Sequence, residues 1–251
     1  MVSARGSVAV VEEQPHRPWI IAHRGASAVR RENTLAAFVQ AAELGADAVE
    51  FDVRRTADGH LVVHHDAAIP EVGVIVQMSR DEIAARAPWV PELSEAIEAC
   101  NGMWMNIEIK NSPFDPDWDP GETVVEAVLE HLALTHQADR VLISSFNPGT
   151  AARAAGRLPG LQTGLLTDQA IDPLSSVAPA AAAGHATINP HVETLRGENA
   201  AKLVGLAAAD HLGVVPWTVD DPDEITRLAD AGVAGIITNV PDAAVRALQG
   251  W

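Results

Sequence analysis

Short β-branched or apolar runs alternate with stretches of helix-forming composition along almost the whole chain. These runs predict eight strands, at residues 19–22, 48–53, 103–109, 140–144, 161–166, 186–189, 214–219 and 235–238. The stretches between them predict helices at residues 33–44, 79–87, 92–100, 122–136, 173–183, 198–212, 222–231 and 242–248, and one that begins near Pro148. Eight parallel strands, each with a helix after it, are typical of a (β/α)₈ TIM barrel in the α/β class.

A doubly wound sheet is the alternative α/β fold, but no glycine-rich dinucleotide turn follows the first predicted strand. The second predicted strand leads into the turn Ala57-Asp58-Gly59, and residues 61–65 are predicted to return as the second arm of a β-hairpin. Residues 67–88 are irregular apart from one short helical piece. We therefore expect a TIM barrel with a β-hairpin and a short insertion after the second strand.

Length and composition indicate the domain organisation. The chain has 251 residues, 47% of them hydrophobic, and no linker or low-complexity block divides it, so we expect one domain over residues 19–251 after a short disordered lead at residues 1–18. The lead has no apolar run of signal-peptide length, no segment is long and apolar enough to span a membrane, and Cys100 is the only cysteine. These features favour a cytoplasmic protein with no internal disulfide and no stable membrane association.

The net charge of −17 restricts the class of partner. Such a chain has no basic stripe that could neutralise the phosphates of a nucleic acid or an anionic membrane. A small phosphorylated substrate needs only one local cationic site, so we expect a small-molecule partner. The sequence carries no prediction of oligomeric state.

Two carboxylates alternate with apolar residues in the second predicted strand, Ala48-Val49-Glu50-Phe51-Asp52-Val53. A strand places Glu50 and Asp52 on the same face. Like charges on a half-buried face repel each other and lose hydration, which favours a bound cation between them. An ordinary strand with its polar face in water is the other interpretation of this segment taken alone.

Ionisable residues also end other predicted strands, and the carboxyl ends of the strands form the active face of a TIM barrel. Glu108 and Lys110 end the third strand, His23 and Arg24 follow the first, and His65 lies in the returning arm of the hairpin. We expect all of these side chains to meet at one mouth with the two acids of the second strand.

The three acids of this mouth provide oxygen ligands only. Oxygen ligands from Glu50, Asp52 and Glu108 suit a hard divalent cation such as Mg²⁺ or Ca²⁺, with Mn²⁺ as a further candidate, better than they suit zinc.

The remaining side chains at the mouth suit phosphoryl chemistry. Arg24 and Lys110 supply fixed positive charge that can clamp a phosphate beside a cation. His23 and His65 titrate close to neutral pH, so one can accept a proton from an attacking hydroxyl while the other donates one to a leaving alkoxide.

Several motifs of the chain resemble the signature of the glycerophosphodiester phosphodiesterase family. The N-terminal motifs are His23-Arg24-Gly25-Ala26-Ser27, Glu32-Asn33-Thr34, Glu50-Phe51-Asp52, Thr56-Ala57-Asp58-Gly59 and His65-Asp66. The later motifs are Glu108-Ile109-Lys110, Trp217-Thr218-Val219 and Gly235-Ile236-Ile237-Thr238-Asn239 followed by Pro241-Asp242. The resemblance covers about residues 19–248.

The resemblance implies a barrel hydrolase that cleaves glycerophosphodiesters to sn-glycerol 3-phosphate and an alcohol. It also implies a divalent metal held by carboxylates, a histidine acid–base pair and a set of substrate contacts. The metal ligands implied by the resemblance are Glu50, Asp52 and Glu108. The implied acid–base pair is His23 and His65, and the implied substrate contacts are Arg24, Lys110 and Trp217.

The chain also departs from the family pattern. Arg31 stands where a proline is usual, Asp220 stands where an asparagine is usual, and the segment after Asp66 lacks the usual Asp-Arg-Thr-Thr run. That segment is expected to form much of the substrate rim. Its divergence therefore affects the prediction of substrate identity and leaves the prediction of the catalytic chemistry unchanged.

Two other functions are considered. A lysophospholipase D-like enzyme would use the same chemistry on a lipid, and exposed Trp89, Val90 and Phe114 around the mouth would favour it. A catalytically inactive barrel that binds a phosphorylated ligand is disfavoured, because both histidines and all three acids are present.

Overall fold

The computed structural model describes residues 17–100 and 102–251. Its strands are β1 (Trp19–His23), β2 (Ala48–Arg55), β3 (Leu61–Val63), β4 (Ala68–Ile69), β5 (Gly73–Val74), β6 (Trp104–Ile109), β7 (Val141–Ser145), β8 (Gln162–Thr167), β9 (Thr187–Pro190), β10 (Gly213–Val214) and β11 (Gly235–Thr238). Its α-helices are α1 (Leu35–Glu43), α2 (Arg80–Arg86), α3 (Leu93–Ala99), α4 (Thr123–Thr135), α5 (Pro148–Ala154), α6 (Val177–Ala182), α7 (Asn199–Ala209), α8 (Pro222–Asp230) and α9 (Pro241–Ala247). The predicted lead, residues 1–18, lies outside the described residues except for Arg17 and Pro18.

Eight strands run parallel in the order β10-β9-β8-β7-β6-β2-β1-β11. Backbone hydrogen bonds from Ala234 N to Val214 O (2.9 Å) and from Ile237 N to Pro216 O (3.0 Å) link the two ends of this order. The sheet is therefore a nearly closed barrel, and helices connect its successive strands. The predicted (β/α)₈ TIM barrel is confirmed.

The alternation along β2 decides what faces the barrel interior. Val49, Phe51 and Val53 are fully buried in the apolar layer between the strands and the helices that include α1 and α4. Glu50 and Asp52 alternate with them and consequently point to the inside of the barrel. Burying an aromatic or branched aliphatic side chain stabilises the fold by about 1.5–3 kcal/mol each, so the register of β2 is strongly specified.

Helix ends are set by local capping chemistry. The Thr34 side chain accepts a hydrogen bond from Ala37 N at the start of α1. The Asp221 carboxylate accepts from Asp223 N at 2.8 Å and from Glu224 N at 3.1 Å, and Pro222 occupies the first position of α8. These caps fix where the chain leaves the strands and enters the surrounding helices.

The hairpin and the insertion follow β2 as predicted. β3 pairs antiparallel with β2, with Val53 opposite Val63. The insertion holds a small antiparallel pair, β4 with β5, then helix α2, around a separate apolar cluster that includes Ile75, Ile83 and Val90. Val90 is therefore buried, whereas the lipid-enzyme hypothesis would need it exposed around the mouth.

The seventh barrel strand is shorter than predicted. Residues 214–219 were expected to be extended, whereas β10 covers only Gly213–Val214. Pro190, the last residue of β9, has no N–H to donate, so the ladder between β9 and β10 is interrupted after Val214, and it resumes as a single parallel bridge between His191 and Trp217. None of the helices within the described residues combines the length and the apolar composition that crossing a bilayer requires.

Candidate active site

Three carboxylates converge inside the barrel at the carboxyl end of β2 and β6. Glu50 and Asp52 lie on β2, and the register pairs Asp52 with Glu108 of β6. One oxygen from each of the three carboxylates lies within 4.8 Å of the others, and all three side chains are buried. Oxygen donors gathered so closely could hold a divalent cation.

Two cationic side chains approach this cluster. Lys110 Nζ lies 3.0 Å from Asp52 Oδ1 and 2.5 Å from Glu108 Oε1. Arg24 Nε lies 3.3 Å from Asp52 Oδ2, and the Arg24 backbone N–H donates to Glu50 Oε2 at 3.0 Å. Three buried carboxylates face two cationic groups, so their charges do not balance without a further cation or proton.

The electrostatics differ among the acids. Burial, together with the charges of Asp52 and Glu108, raises the pKa of Glu50 well above its usual value. Burial would also raise the pKa of Asp52, but Lys110 and Arg24 outweigh it and hold that pKa below the usual range. Burial raises the pKa of Glu108, although the charge of Lys110 opposes this. The charges of Asp52 and Glu108 raise the pKa of Lys110, although the burial of the lysine opposes this. In the metal-free protein, Glu50 is thus the carboxyl most inclined to hold a proton.

His23 lies at the end of β1 and is oriented by the last barrel strand. Its Nδ1 lies 2.8 Å from Asn239 Oδ1, and Asn239 Nδ2 donates to Asp220 Oδ2 at 2.7 Å. A carboxylate oxygen only accepts, so Asp220 turns the carbonyl oxygen of Asn239 towards His23. The neutral His23 ring then carries its proton on Nδ1, and the bare Nε2 lies 4.0 Å from Glu50 Oε2. Burial and the nearby charge of Arg24 lower the pKa of His23.

His65 lies just beyond the end of β3, on the same cavity. Its Nδ1 lies 2.7 Å from Asp66 Oδ1, which leaves Nε2 as the ring nitrogen available to the site. Burial and the charge of Lys110 lower the pKa of His65. His64 does not line the cavity, and its Nδ1 lies 2.9 Å from the backbone O of Asp66.

A tight turn after β1 brings His23 and Arg24 to the mouth. Gly25 has φ +82°, and a Cβ on it would lie 2.7 Å from the backbone carbon of Ala37 in α1. Only glycine permits this close approach of the turn to the helix. Arg24 itself has φ 55°, and its Nη1 pairs with Glu32 Oε1 at 2.9 Å.

A cavity of about 110 Å³ opens between these groups. Its lining residues are His23, Arg24, Glu50, His65, Asn106, Glu108, Lys110, Ser144, Phe146, Leu166, Trp217 and Ile237. Trp217 forms one wall, packs edge-on against Phe146 with ring centroids 5.2 Å apart, and donates from Nε1 to Asn189 O at 2.9 Å. Asp52 lies beneath the cavity, so the structure brings all eight residues singled out from the sequence to one place.

Several neutral side chains have roles in the site that the sequence alone did not indicate. Asn33 Nδ2 donates to Asp52 Oδ2 at 2.7 Å, and Asn239 orients His23 as described above. Both asparagines stand inside motifs that were quoted for the family resemblance, directly after a charged or strand-end residue. Phe146, which follows β7, is the partner of Trp217 and carried no comparable signal.

Comparison with known proteins agrees with this geometry. Residues 23–243 match the model of the "Glycerophosphoryl diester phosphodiesterase family". The chain is 31% identical to a glycerophosphodiester phosphodiesterase of Bacillus altitudinis over 90% of this chain and 96% of that protein. It is 32% identical to a glycerophosphodiester phosphodiesterase of Caldanaerobacter subterraneus subsp. tengcongensis over 92% and 97%, respectively.

A solved structure shares the fold along nearly its full length. The glycerophosphodiester phosphodiesterase of Thermotoga maritima superposes with a TM-score of 0.78 at 25% identity, covering 92% of this chain and 98% of that one. The two chains therefore share one fold over most of their length.

Proposed function

Because the chain belongs to the glycerophosphoryl diester phosphodiesterase family, whose members are hydrolases, we propose that it hydrolyses glycerophosphodiesters with one bound divalent cation. The products are sn-glycerol 3-phosphate and an alcohol. The observation that carries the proposal is one cavity lined or underlain by three buried carboxylates, two cationic side chains and two histidines.

Glu50, Asp52 and Glu108 are the ligands in this proposal. Their fit to a divalent cation rests on the close approach of their oxygens and on the excess of negative charge over Arg24 and Lys110. Hard oxygen donors favour Mg²⁺ or Ca²⁺, and Mn²⁺ is a further candidate. When bound, such a cation stabilises negative charge on the phosphate oxygens.

The two histidines divide the proton transfers. His23 presents an unprotonated Nε2, held in that state by Asn239, and accepts the proton of the attacking hydroxyl. His65 donates from Nε2 to the leaving alkoxide, and the Asp66 carboxylate on Nδ1 favours the protonated ring that this step needs, in opposition to the burial and the Lys110 charge that lower the pKa of His65.

Three further side chains bind the substrate. The side chains of Arg24 and Lys110 lie at the rim of the carboxylate cluster, where each can contact a phosphate oxygen. Trp217, braced by Phe146, covers the apolar side of the glycerol and excludes water.

A lysophospholipid is the second candidate substrate. Phe114 is 96% exposed and Trp118 is 47% exposed in the loop that follows β6, and exposed aromatic side chains are what a lipid chain would contact. The other proposed rim residues argue against it, because Val90 is buried and the Arg31 guanidinium lies 4.0 Å above the Trp89 ring. Soluble diesters are therefore the favoured substrates.

The cytoplasmic location expected from the sequence stays a prediction.

Hydrolysis of a panel of substrates tests the proposal. Glycerophosphocholine, glycerophosphoethanolamine, glycerophosphoglycerol and a lysophosphatidylcholine would each be supplied with Mg²⁺, Ca²⁺ or Mn²⁺. Release of sn-glycerol 3-phosphate, followed with glycerol-3-phosphate dehydrogenase, is expected for the soluble diesters. Release of lysophosphatidic acid alone would support the lipid enzyme, and no turnover of any substrate would contradict both.

A further inference from the structure

Arg54 is a buried arginine beside the candidate site, nearer than Asp52 to the carboxyl end of β2. It is the next inward-facing residue of β2 after Asp52, and it is 3% exposed. Its Nε donates to the backbone O of His65 at 2.8 Å. Its Nη1 lies 2.7 and 2.6 Å from the two carboxylate oxygens of Asp117, and its Nη2 donates to Asp115 Oδ2 at 3.0 Å.

The position of His65 depends on such contacts because it lies outside regular structure. β3 ends at Val63, and the His64 N–H makes the last backbone bond to β2, to Asp52 O at 3.0 Å. Beyond that point the Asp66 carboxylate orients the ring, and Arg54 holds the backbone of the residue itself.

The same guanidinium reaches the loop between β6 and α4, residues 110–122. The Asp117 side chain is as buried as that of Arg54, with 4% of each exposed. The buried Asp117 carboxylate requires a permanent positive partner. The planar guanidinium of Arg54 can bind Asp117, Asp115 and the backbone carbonyl of His65 at the same time. Lysine has a single nitrogen and cannot reproduce these contacts.

We propose that Arg54 is a positioning residue of the phosphodiesterase reaction: it holds the His65 backbone in register with β2 and locks it to the loop that borders the mouth. The inference rests on the proposed role of His65 as an acid. A displacement of about 1 Å in a catalytic group can cost about 10²-fold in rate, so a loosened His65 backbone should show in kcat.

Arg54→Lys is the test variant, and Arg55→Lys is its matched control. Arg55 is the next residue of β2 and points to the opposite face, so the control repeats the chemical change without touching His65. We expect Arg54→Lys to lower kcat about 10- to 100-fold, with KM and the affinity for Mg²⁺ changed by less than about threefold. Arg55→Lys should leave all three unchanged.

A double-mutant cycle separates positioning from general damage. If Arg54 acts through His65, Arg54→Lys costs nothing further in a His65→Ala background, where residual turnover is followed over long incubations. An equal loss in both backgrounds, or no loss in the wild-type background, would overturn the proposal. Asp117→Asn weakens the same lock from the loop side; should Arg54→Lys fail to fold, the same non-additivity is expected for this variant.

Hydrogen exchange provides a readout that needs no turnover. Peptides covering residues 61–67 and 112–120 should exchange faster in Arg54→Lys than in Arg55→Lys, and equal exchange would count against the lock. If the wild-type enzyme hydrolyses no diester, the proposed function fails while this measurement still decides whether Arg54 holds the His65 segment.

Discussion

Lys110→Met is the perturbation that most directly probes the charge balance of the site. Lys110 Nζ lies 3.0 Å from Asp52 Oδ1 and 2.5 Å from Glu108 Oε1, with only 10% of the lysine side chain exposed. At an effective dielectric constant of about 20, one such pair at 3.0 Å has a Coulomb energy of roughly 5–6 kcal/mol. Desolvation offsets much of this, and removing one partner of a buried pair typically costs about 3–5 kcal/mol.

Metal-free Lys110→Met should therefore lose stability and bind Mg²⁺ more tightly. A loss of about 3–5 kcal/mol in a chain of this size lowers the Tm by roughly 6–20 °C. Without the ammonium group, the same carboxylates are free for a divalent cation, so saturating Mg²⁺ should raise the Tm of the variant more than that of the wild type. The kcat/KM for a diester should nevertheless fall, because a phosphate contact is lost.

Differential scanning calorimetry with EDTA and with Mg²⁺ measures both effects. Lys202→Met is the control, since Lys202 forms an exposed pair with Glu198 at 3.1 Å whose loss should cost about 0.5 kcal/mol or less. The reasoning is refuted if Lys110→Met loses no more stability than Lys202→Met, or if Mg²⁺ stabilises it no more than the wild type.

Four further substitutions have defined outcomes. His23→Ala and His65→Ala should each lower kcat about 10²- to 10⁴-fold while Mg²⁺ binding by calorimetry is retained; full activity in either would remove its proton-transfer role. The raised pKa of Glu50 destabilises the metal-free fold increasingly as the pH rises from the unfolded value, about 4.3, through the folded value. Glu50→Gln should thus weaken Mg²⁺ binding yet raise the Tm in EDTA, by a margin that grows as the pH rises above about 4; a constant margin would contradict this. Gly25→Ala should cost about 1–3 kcal/mol in urea unfolding, because its Cβ would press on Ala37, and an unchanged midpoint would argue against that contact.

The barrel and the acidic face were predictable because both follow from local periodicity. Alternation in Glu50-Phe51-Asp52 needs only the two-residue repeat of a strand to place the acids inward. Strand ends in a parallel barrel share one face, which brings His23, Lys110 and Glu50 together without any knowledge of packing.

Contacts between distant segments were not predictable from the sequence. His23 and Asn239 are 216 residues apart, and Arg54 and Asp117 are 63 apart, so no periodic pattern links them. Burial of Val90 likewise depends on how the insertion folds over its own small cluster. These positions are set by tertiary packing, which a single sequence does not encode in its local pattern.

The measurement that tests the central claim most directly is the rate of sn-glycerol 3-phosphate release by metal-stripped enzyme as Mg²⁺ is added back. The proposed centre predicts no turnover after chelation, a saturable recovery with added Mg²⁺, and a much weaker recovery in Asp52→Asn. Full turnover by the stripped wild-type enzyme without any added divalent cation would contradict it.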